Sequence, residues 1–184
     1  MKIDKRLLLA GLAVAIAMSA SVSTSSASAS VWKDHGVNIT SLIEIGLSGG
    51  ELFETGSGGM SCEIHATLTT KGGSMGEIVK YKTNGCTGFG NLAGCTVVTS
   101  EALGLPWTVD VNTSDLTITG WHVRRTFNPG CAVAEIDKTI ASVTATPDVS
   151  TSISEIEFIG ETTGYKVFGS FTVDGTNKGT YGIG

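Results

Sequence analysis

MSCEIHATL, residues Met60 to Leu68, alternates without a break. Met60, Cys62, Ile64, Ala66 and Leu68 share one side; Ser61, Glu63, His65 and Thr67 share the other. A period of two marks a half-buried β-strand, since successive side chains leave a strand in opposite directions. The same reading extends outward. VNITSLIEI groups Val37, Ile39, Ile43 and Ile45, and WTVDV groups Trp107, Val109 and Val111. Near the C-terminus Tyr165, Val167, Gly169, Phe171 and Val173 alternate with Lys166, Phe168, Ser170, Thr172 and Asp174. In LTITGWHV, Leu116 and Ile118 are out of phase with Trp121 and Val123. A bulge at Gly120 would return both pairs to one core, because an extra residue flips the register. VNTSDL and VDGTNKGTY read as tight turns. No mature segment keeps a helical period. The expected fold is all-β, a single antiparallel sandwich or barrel of about nine or ten strands.

The first thirty residues carry a different signal. Lys2, Lys5 and Arg6 precede an apolar run from Leu7 to Met18, and Ala27-Ser28-Ala29 supplies small residues for cleavage. This is the pattern of a Sec-type signal peptide over residues 1–29. The run is too short to span a bilayer, which takes roughly 20 residues. No stable membrane span is therefore expected after cleavage, and no cysteine near the site offers a lipid anchor. Residues 30–184 are read as one domain. The first 29 residues hold three of the twelve Lys and Arg and one of the seventeen Asp and Glu, leaving 30–184 at −7. Such a charge disfavours nucleic acid, which is bound through clustered cations. The one basic pair is Arg124-Arg125.

All four cysteines, Cys62, Cys86, Cys95 and Cys131, fall in the exported part. An even count on the oxidising side of a membrane reads as disulfides. The stretch GCTGFGNLAGC, Gly85 to Cys95, sharpens the question. Its glycines, Gly88, Gly90 and Gly94, miss the dinucleotide fingerprint by one residue. A β-branched run follows where a phosphate loop needs a helix start. Zinc knuckles space their cysteines more closely. A stapled loop suits the stretch best, giving Cys86–Cys95 as one bridge and leaving Cys62–Cys131 as the other. Three pairings are open in principle.

Few residues offer chemistry. Gly46-Leu47-Ser48-Gly49-Gly50 matches the nucleophile elbow in form, yet no helix pattern follows Ser48. A serine hydrolase using Ser48 is the weaker alternative. His35 lies near the mature N-terminus, while His65 and His122 face outward; with Glu63 they could meet a metal only if their strands pair. Glu155 and Glu157 read as the wet face of one strand. No catalytic residue, metal site or cofactor is expected, and the protein is read as a non-enzyme. Trp107 and Trp121 fall in the core phase. Phe89, between two glycines at the tip of the proposed loop, is the candidate contact residue.

With the cysteine loop, GLPW at 104–107 and the ending GSFTVDGTNKGTYGI in view, the chain resembles small exported β-proteins of actinobacterial type. Those combine a signal peptide, a GC…C pair before an LPW strand, and a Gly-rich final hairpin. The resemblance implies a secreted or cell-envelope location and a β fold, and it carries no site residue. The expected role is contact with an envelope protein or polysaccharide, with carriage of a small apolar ligand inside a barrel as the alternative.

Overall fold

The computed structural model describes residues 30–175 and 179–184; the expected signal segment, 1–29, lies outside the described residues. Twelve strands occur among them. They are β1 (Trp32–Asp34), β2 (Val37–Asn38), β3 (Ile43–Thr55), β4 (Gly58–Thr70), β5 (Met75–Gly90) and β6 (Val97–Ala102). Then come β7 (Trp107–Val111), β8 (Leu116–Phe127), β9 (Glu135–Pro147), β10 (Glu155–Thr162), β11 (Tyr165–Val173) and β12 (Tyr181–Ile183). The large sheet runs β6-β8-β7-β5-β4-β3-β11-β10-β9, and a β8–β9 ladder from Leu116↔Ala145 to Thr126↔Glu135 closes it on itself, leaving β6 outside the ring. The result is an eight-stranded antiparallel barrel closed by β8 and β9. β1, β2 and β12 form a separate sheet in the order β12-β1-β2.

Alternation explains the wall. In β4, Met60, Cys62, Ile64, Ala66 and Leu68 are buried, whereas Ser61, Glu63 and His65 are exposed. β7 and β11 repeat the pattern as the sequence requires. Gly120 has φ +89°. Leu116, Ile118, Trp121 and Val123 all point into the core, so the phase break is absorbed there. β9 changes face at the same level, between Ile140 and Val143, which keeps the two ladders in step. VNITSLIEI is not one strand. β2 ends at Asn38 and β3 begins at Ile43, because the chain passes there from the small sheet to the barrel wall. Val37 is consequently 70% exposed. The final segment is no hairpin either, since β12 pairs with β1 and not with β11.

Aromatic rings fill the middle of the lumen. Trp121 stacks on Trp107 at 4.8 Å between centroids and meets Tyr81 edge-on at 4.9 Å and Phe158 at 5.4 Å. Phe158 continues to Phe171 at 4.9 Å. Such offset and tilted pairs each add about 0.5–1.5 kcal/mol beyond burial. Glycine makes the room: a Cβ on Gly169 would lie 2.8 Å from the Phe158 ring and 2.1 Å from the Gly50 carbonyl. Above this layer, Leu47, Leu68, Ile78, Val109, Leu116, Ile118, Ala145, Ile156 and Phe171 leave a gap of only about 10 Å³.

Both ends are covered. Trp32, Ile39, Ile153, Tyr181 and Ile183 are buried at the end carrying the small sheet. Trp32 N–H donates to Gly73 O at 3.0 Å and Ile153 N–H to Tyr181 O at 2.7 Å. At the other end Leu92 is fully buried beneath the 91–96 turn. Thr96 N–H donates to the Asn128 side chain at 2.7 Å, tying that turn to the β8–β9 connection.

The bridges are Cys62–Cys86 and Cys95–Cys131, which corrects the expected Cys86–Cys95 and Cys62–Cys131. The reason is that Gly85–Gly90 is not a loop but the last part of β5, whose Thr87–Gly90 pairs with Gly58–Ser61 of β4. Cys86 thus lies beside Cys62 on the neighbouring strand, with Cα atoms 4.1 Å apart at a register shift. Cys95 and Cys131 sit on two connections at one barrel end. Closing 24- and 36-residue separations restricts the unfolded chain by about 3–4 kcal/mol each in the chain-entropy model. Non-reducing peptide mapping of residues 30–184 should recover Cys62–Cys86 and Cys95–Cys131; a Cys86–Cys95 peptide would contradict this register.

Candidate functional site

Chemistry-bearing side chains fall at three places: inside the lumen, on the outer face of β3 and β4, and at the β5–β6 side of the wall. The lumen holds the densest group. Glu51 and Arg125 are the fully buried charged pair, with side chains 0% and 1% exposed. Arg125 donates through Nη2 to Glu51 and through Nη1 to the Tyr165 hydroxyl at 3.2 Å, while the Tyr81 hydroxyl donates to the other Glu51 oxygen. The guanidinium also lies 4.6 Å from the Phe53 ring centroid. Its Nε has no partner among the described residues. The strand positions dictate the grouping, because Arg125 follows Trp121 and Val123 on the inward side of β8 and Glu51 follows Leu47 on β3. Burial pushes the Tyr81 hydroxyl well above its ordinary range, and the Glu51 charge pushes it further. Burial likewise takes Tyr165 up to about 12, against the opposing pull of Arg125. This cluster joins four strands, β3, β5, β8 and β11.

Ser48 lies in the middle of β3, flanked by Thr172 of β11 and His65 of β4. Its hydroxyl donates to the Asp174 carboxylate and makes no bond to His65. A strand continues through the motif, so the sharp strand-to-helix turn of a nucleophile elbow is not formed here. Glu63, His65 and His122 are not brought together. β4 and β8 are not neighbours in the sheet, and His122 instead pairs with Asp137 at 2.6 Å. His35 pairs with Asp34 at 2.7 Å in the exposed turn after β1. Glu155 and Glu157 are exposed along β10.

Phe89 is 41% exposed, but as part of β5 and not at a loop tip. Its ring lies over Gly59, where a Cβ would come within 2.7 Å of it. The same outer surface carries a row in cross-strand register, Ile159 on β10, Phe168 on β11 and Leu52 on β3. Ile159 is 49% exposed. Lys166 Nζ stands 5.4 Å from the Phe168 centroid.

The wall is not hydrogen-bonded all the way round. β7 pairs with β5 only over Met75–Ile78, and β6 pairs with β8 alone. Between β5 and β6 a cleft of about 420 Å³ is lined by Thr83, Asn84, Gly85, Cys86, Thr96, Val97, Val98 and Ser100. The Thr83 hydroxyl donates to Ser100 Oγ at 2.5 Å across it. No charged side chain lines it. Val98 at its mouth is 63% exposed.

No protein-family model, curated protein or solved structure matches the chain.

Sequence reasoning missed Glu51 and Arg125, although both fall in the core phase of their strands. The cleft left no mark in the pattern, since it depends on which strands pair.

Breaking the lumen pair strands a buried charge, so Arg125→Met should cost about 3–5 kcal/mol, and Glu51→Leu/Arg125→Met should recover most of it. Denaturant midpoints of both variants would check this. The tyrosines set an alkaline limit. Their folded-state values are raised, so the stability they contribute is complete below the unfolded value near 10 and is lost as pH rises through about 12. Unfolding free energy should fall over that window, with the tyrosinate absorbance of Tyr81 and Tyr165 appearing as the barrel opens, and Tyr165→Phe should flatten the fall.

Proposed function

We propose that this is an exported, non-enzymatic β-barrel that works by contact at the secreted or cell-envelope side, its partner an envelope protein or a polysaccharide. The observation that carries the reading is the apolar outer surface of Phe89, Leu52, Phe168 and Ile159, set on a barrel whose interior is already filled. Large apolar side chains held on a rigid sheet bind with little further loss of freedom. A scaffold closed at both ends and crossed by two bridges suits such display. The disulfides are consistent with an oxidising compartment. The resemblance to exported β-proteins of actinobacterial type supports the same location.

Carriage of an apolar ligand in the lumen has less support. A drug-sized ligand occupies a pocket of roughly 300–1,000 Å³, and the apolar gap here is about 10 Å³. A hydrolase using Ser48 would need a sharp strand-to-helix turn to present its hydroxyl, and Ser48 instead lies within a continuous strand with its hydroxyl on Asp174. A fluorophosphonate probe should leave Ser48 unlabelled; labelling would replace the contact reading by the hydrolase one.

Two measurements test the proposal. Expression of the whole chain in the cells that encode it should place a product beginning near Ser30 outside the cytoplasmic membrane. The purified 30–184 domain should adsorb to their isolated envelopes, and Phe89→Ser/Phe168→Ser should weaken adsorption about tenfold while leaving the denaturation midpoint within about 1 kcal/mol. Equal adsorption by variant and wild type would overturn the assignment of that surface.

A further inference from the structure

We infer that the apolar stripe on the outer wall receives one amphipathic helix of a partner polypeptide, with cations flanking the apolar side of that helix. The inference rests on the contact reading above and chooses a protein partner over a polysaccharide.

Strand register lays the surface out row by row. Ile159, Phe168 and Leu52 stand side by side on β10, β11 and β3. Neighbouring strands lie about 4.8 Å apart, so the stripe is about 10 Å long and runs across the strands. On one side of it, two residues along each strand or about 6.8 Å away, lies the row Glu161, Lys166 and Glu54. On the other side Glu157 stands on β10 and Glu63 on β4, with Ser170 and Gly50 between them. Carboxylates therefore rim the stripe on both sides. Glu63, Glu157 and Glu161 are exposed, and Glu54 is half-buried. None of the four is ion-paired among the described residues. Lys166, the one cation in these rows, instead stands 5.4 Å from the Phe168 centroid.

Shape and charge together select the occupant. An added strand finds no free edge, because β10, β11 and β3 are each paired on both sides at this height. An α-helix presents apolar residues at i, i+3, i+4 and i+7 on one side, over about 10.5 Å of its axis. That length matches the stripe. The helix is about 10–12 Å wide with its side chains, so the residues flanking its apolar side come down on the two rims. Lys or Arg there gives four unpaired carboxylates their counter-charges, while acidic flanks would meet repulsion. The same rims disfavour the other occupants. Two copies meeting face to face would set carboxylate against carboxylate, and a polyanionic saccharide would meet the same field. The acidic balance of residues 30–184 adds to it. The rims thus keep an apolar face from self-association in the free protein.

The test uses the 30–184 protein and a capped peptide of about four helical turns, with leucine at i, i+3, i+4 and i+7 and lysine on both flanks. Amide resonances followed by NMR should show saturable shifts centred on Leu52, Phe168 and Ile159. The far-ultraviolet spectrum, all-β in the free protein, should gain a helical component. A peptide of the same composition in scrambled order should bind about tenfold more weakly, as should Glu54→Gln/Glu157→Gln, which keeps the stripe and removes charge from both rims. Raising the ionic strength from about 0.1 M to about 1 M shortens the screening length from about 10 Å to about 3 Å, less than the distance from stripe to rim, and should weaken binding too. Should the double variant fail to fold, the scrambled peptide and the salt series on the wild type decide. Absence of shifts at about 1 mM peptide would overturn the inference, as would shifts centred elsewhere or equal binding of the scrambled peptide. Adsorption to isolated envelopes separates this inference from the contact function. Treating the envelopes with protease should abolish adsorption; adsorption that survives would overturn the polypeptide partner and leave the contact function standing. Peptide binding intact, with Phe89→Ser/Phe168→Ser adsorbing to envelopes like wild type, would sink the contact function and keep the helix site.

Discussion

Ring closure through β8 and β9 is the constraint from which the remaining features follow. Once Leu116–Phe127 pairs with Glu135–Pro147, eight strands enclose a lumen of fixed girth that must hold their inward side chains. Neither strand can change its phase alone. Gly120 breaks β8, and β9 breaks at the same height, so the β8–β9 register passes through undisturbed. Crowding is relieved by glycines next to rings, as at Gly169 beneath Phe158. Outward positions are free to be polar, and Glu63, His65, Glu155 and Glu157 occupy them. That is the reverse of a lipid-facing barrel, whose apolar band points outward. Among the described residues no helix is long and apolar enough to cross a membrane.

Within that lumen the Glu51–Arg125 pair is a costly way to fill space. Desolvating both ions opposes folding, and an apolar pair of the same volume often serves stability as well or better. What the pair adds is register. Arg125 reaches Glu51 and Tyr165 together only if β8 stands at one height relative to β3 and β11, and Tyr81 adds the same demand on β5. A slip of one residue in any of these strands would turn a charged or hydroxyl-bearing side chain away from its partner. Apolar rings tolerate such slips better than a guanidinium shared between two directed partners does. The network therefore acts as a lock on alignment between strands that are not neighbours.

How much of this was legible depended on the range of the interaction. Alternation is local, so the inward faces of β4, β7 and β11 and the break at Gly120 could be read residue by residue. The same phase carried Arg125 behind Trp121 and Val123, and Glu51 behind Leu47. The habit of sending charges outward hid what the period already stated. Pairing is not local. Gly85–Gly90 has the glycines of a turn, and nothing in the stretch shows that Gly58 and Gly59 wait opposite to make it a strand. From that one misreading followed the wrong cysteine pairs and the placing of Phe89 on a loop. The small sheet was hidden for the same reason, since β1 and β12 lie at opposite ends of the chain.

The place where closure is incomplete is the place where the sequence interrupts a strand. β6 and β7 follow one line along β8, but Leu103–Pro106 comes between them, with Gly104 at φ +67°. β7 therefore reaches β5 while β6 stands away from it. A barrel that needed only stability would close this gap, because two unpaired edges forgo hydrogen bonds and invite aggregation. Instead the flanks are anchored. β5 is held to β4 by Cys62–Cys86, and the turn before β6 is held by Cys95–Cys131 and by Asn128. The Thr83–Ser100 hydroxyl bond spans the gap between the two anchored strands. The two disulfides thus fasten the flanks of the stretch of wall that backbone pairing leaves open, Cys86 on β5 and Cys95 in the turn before β6.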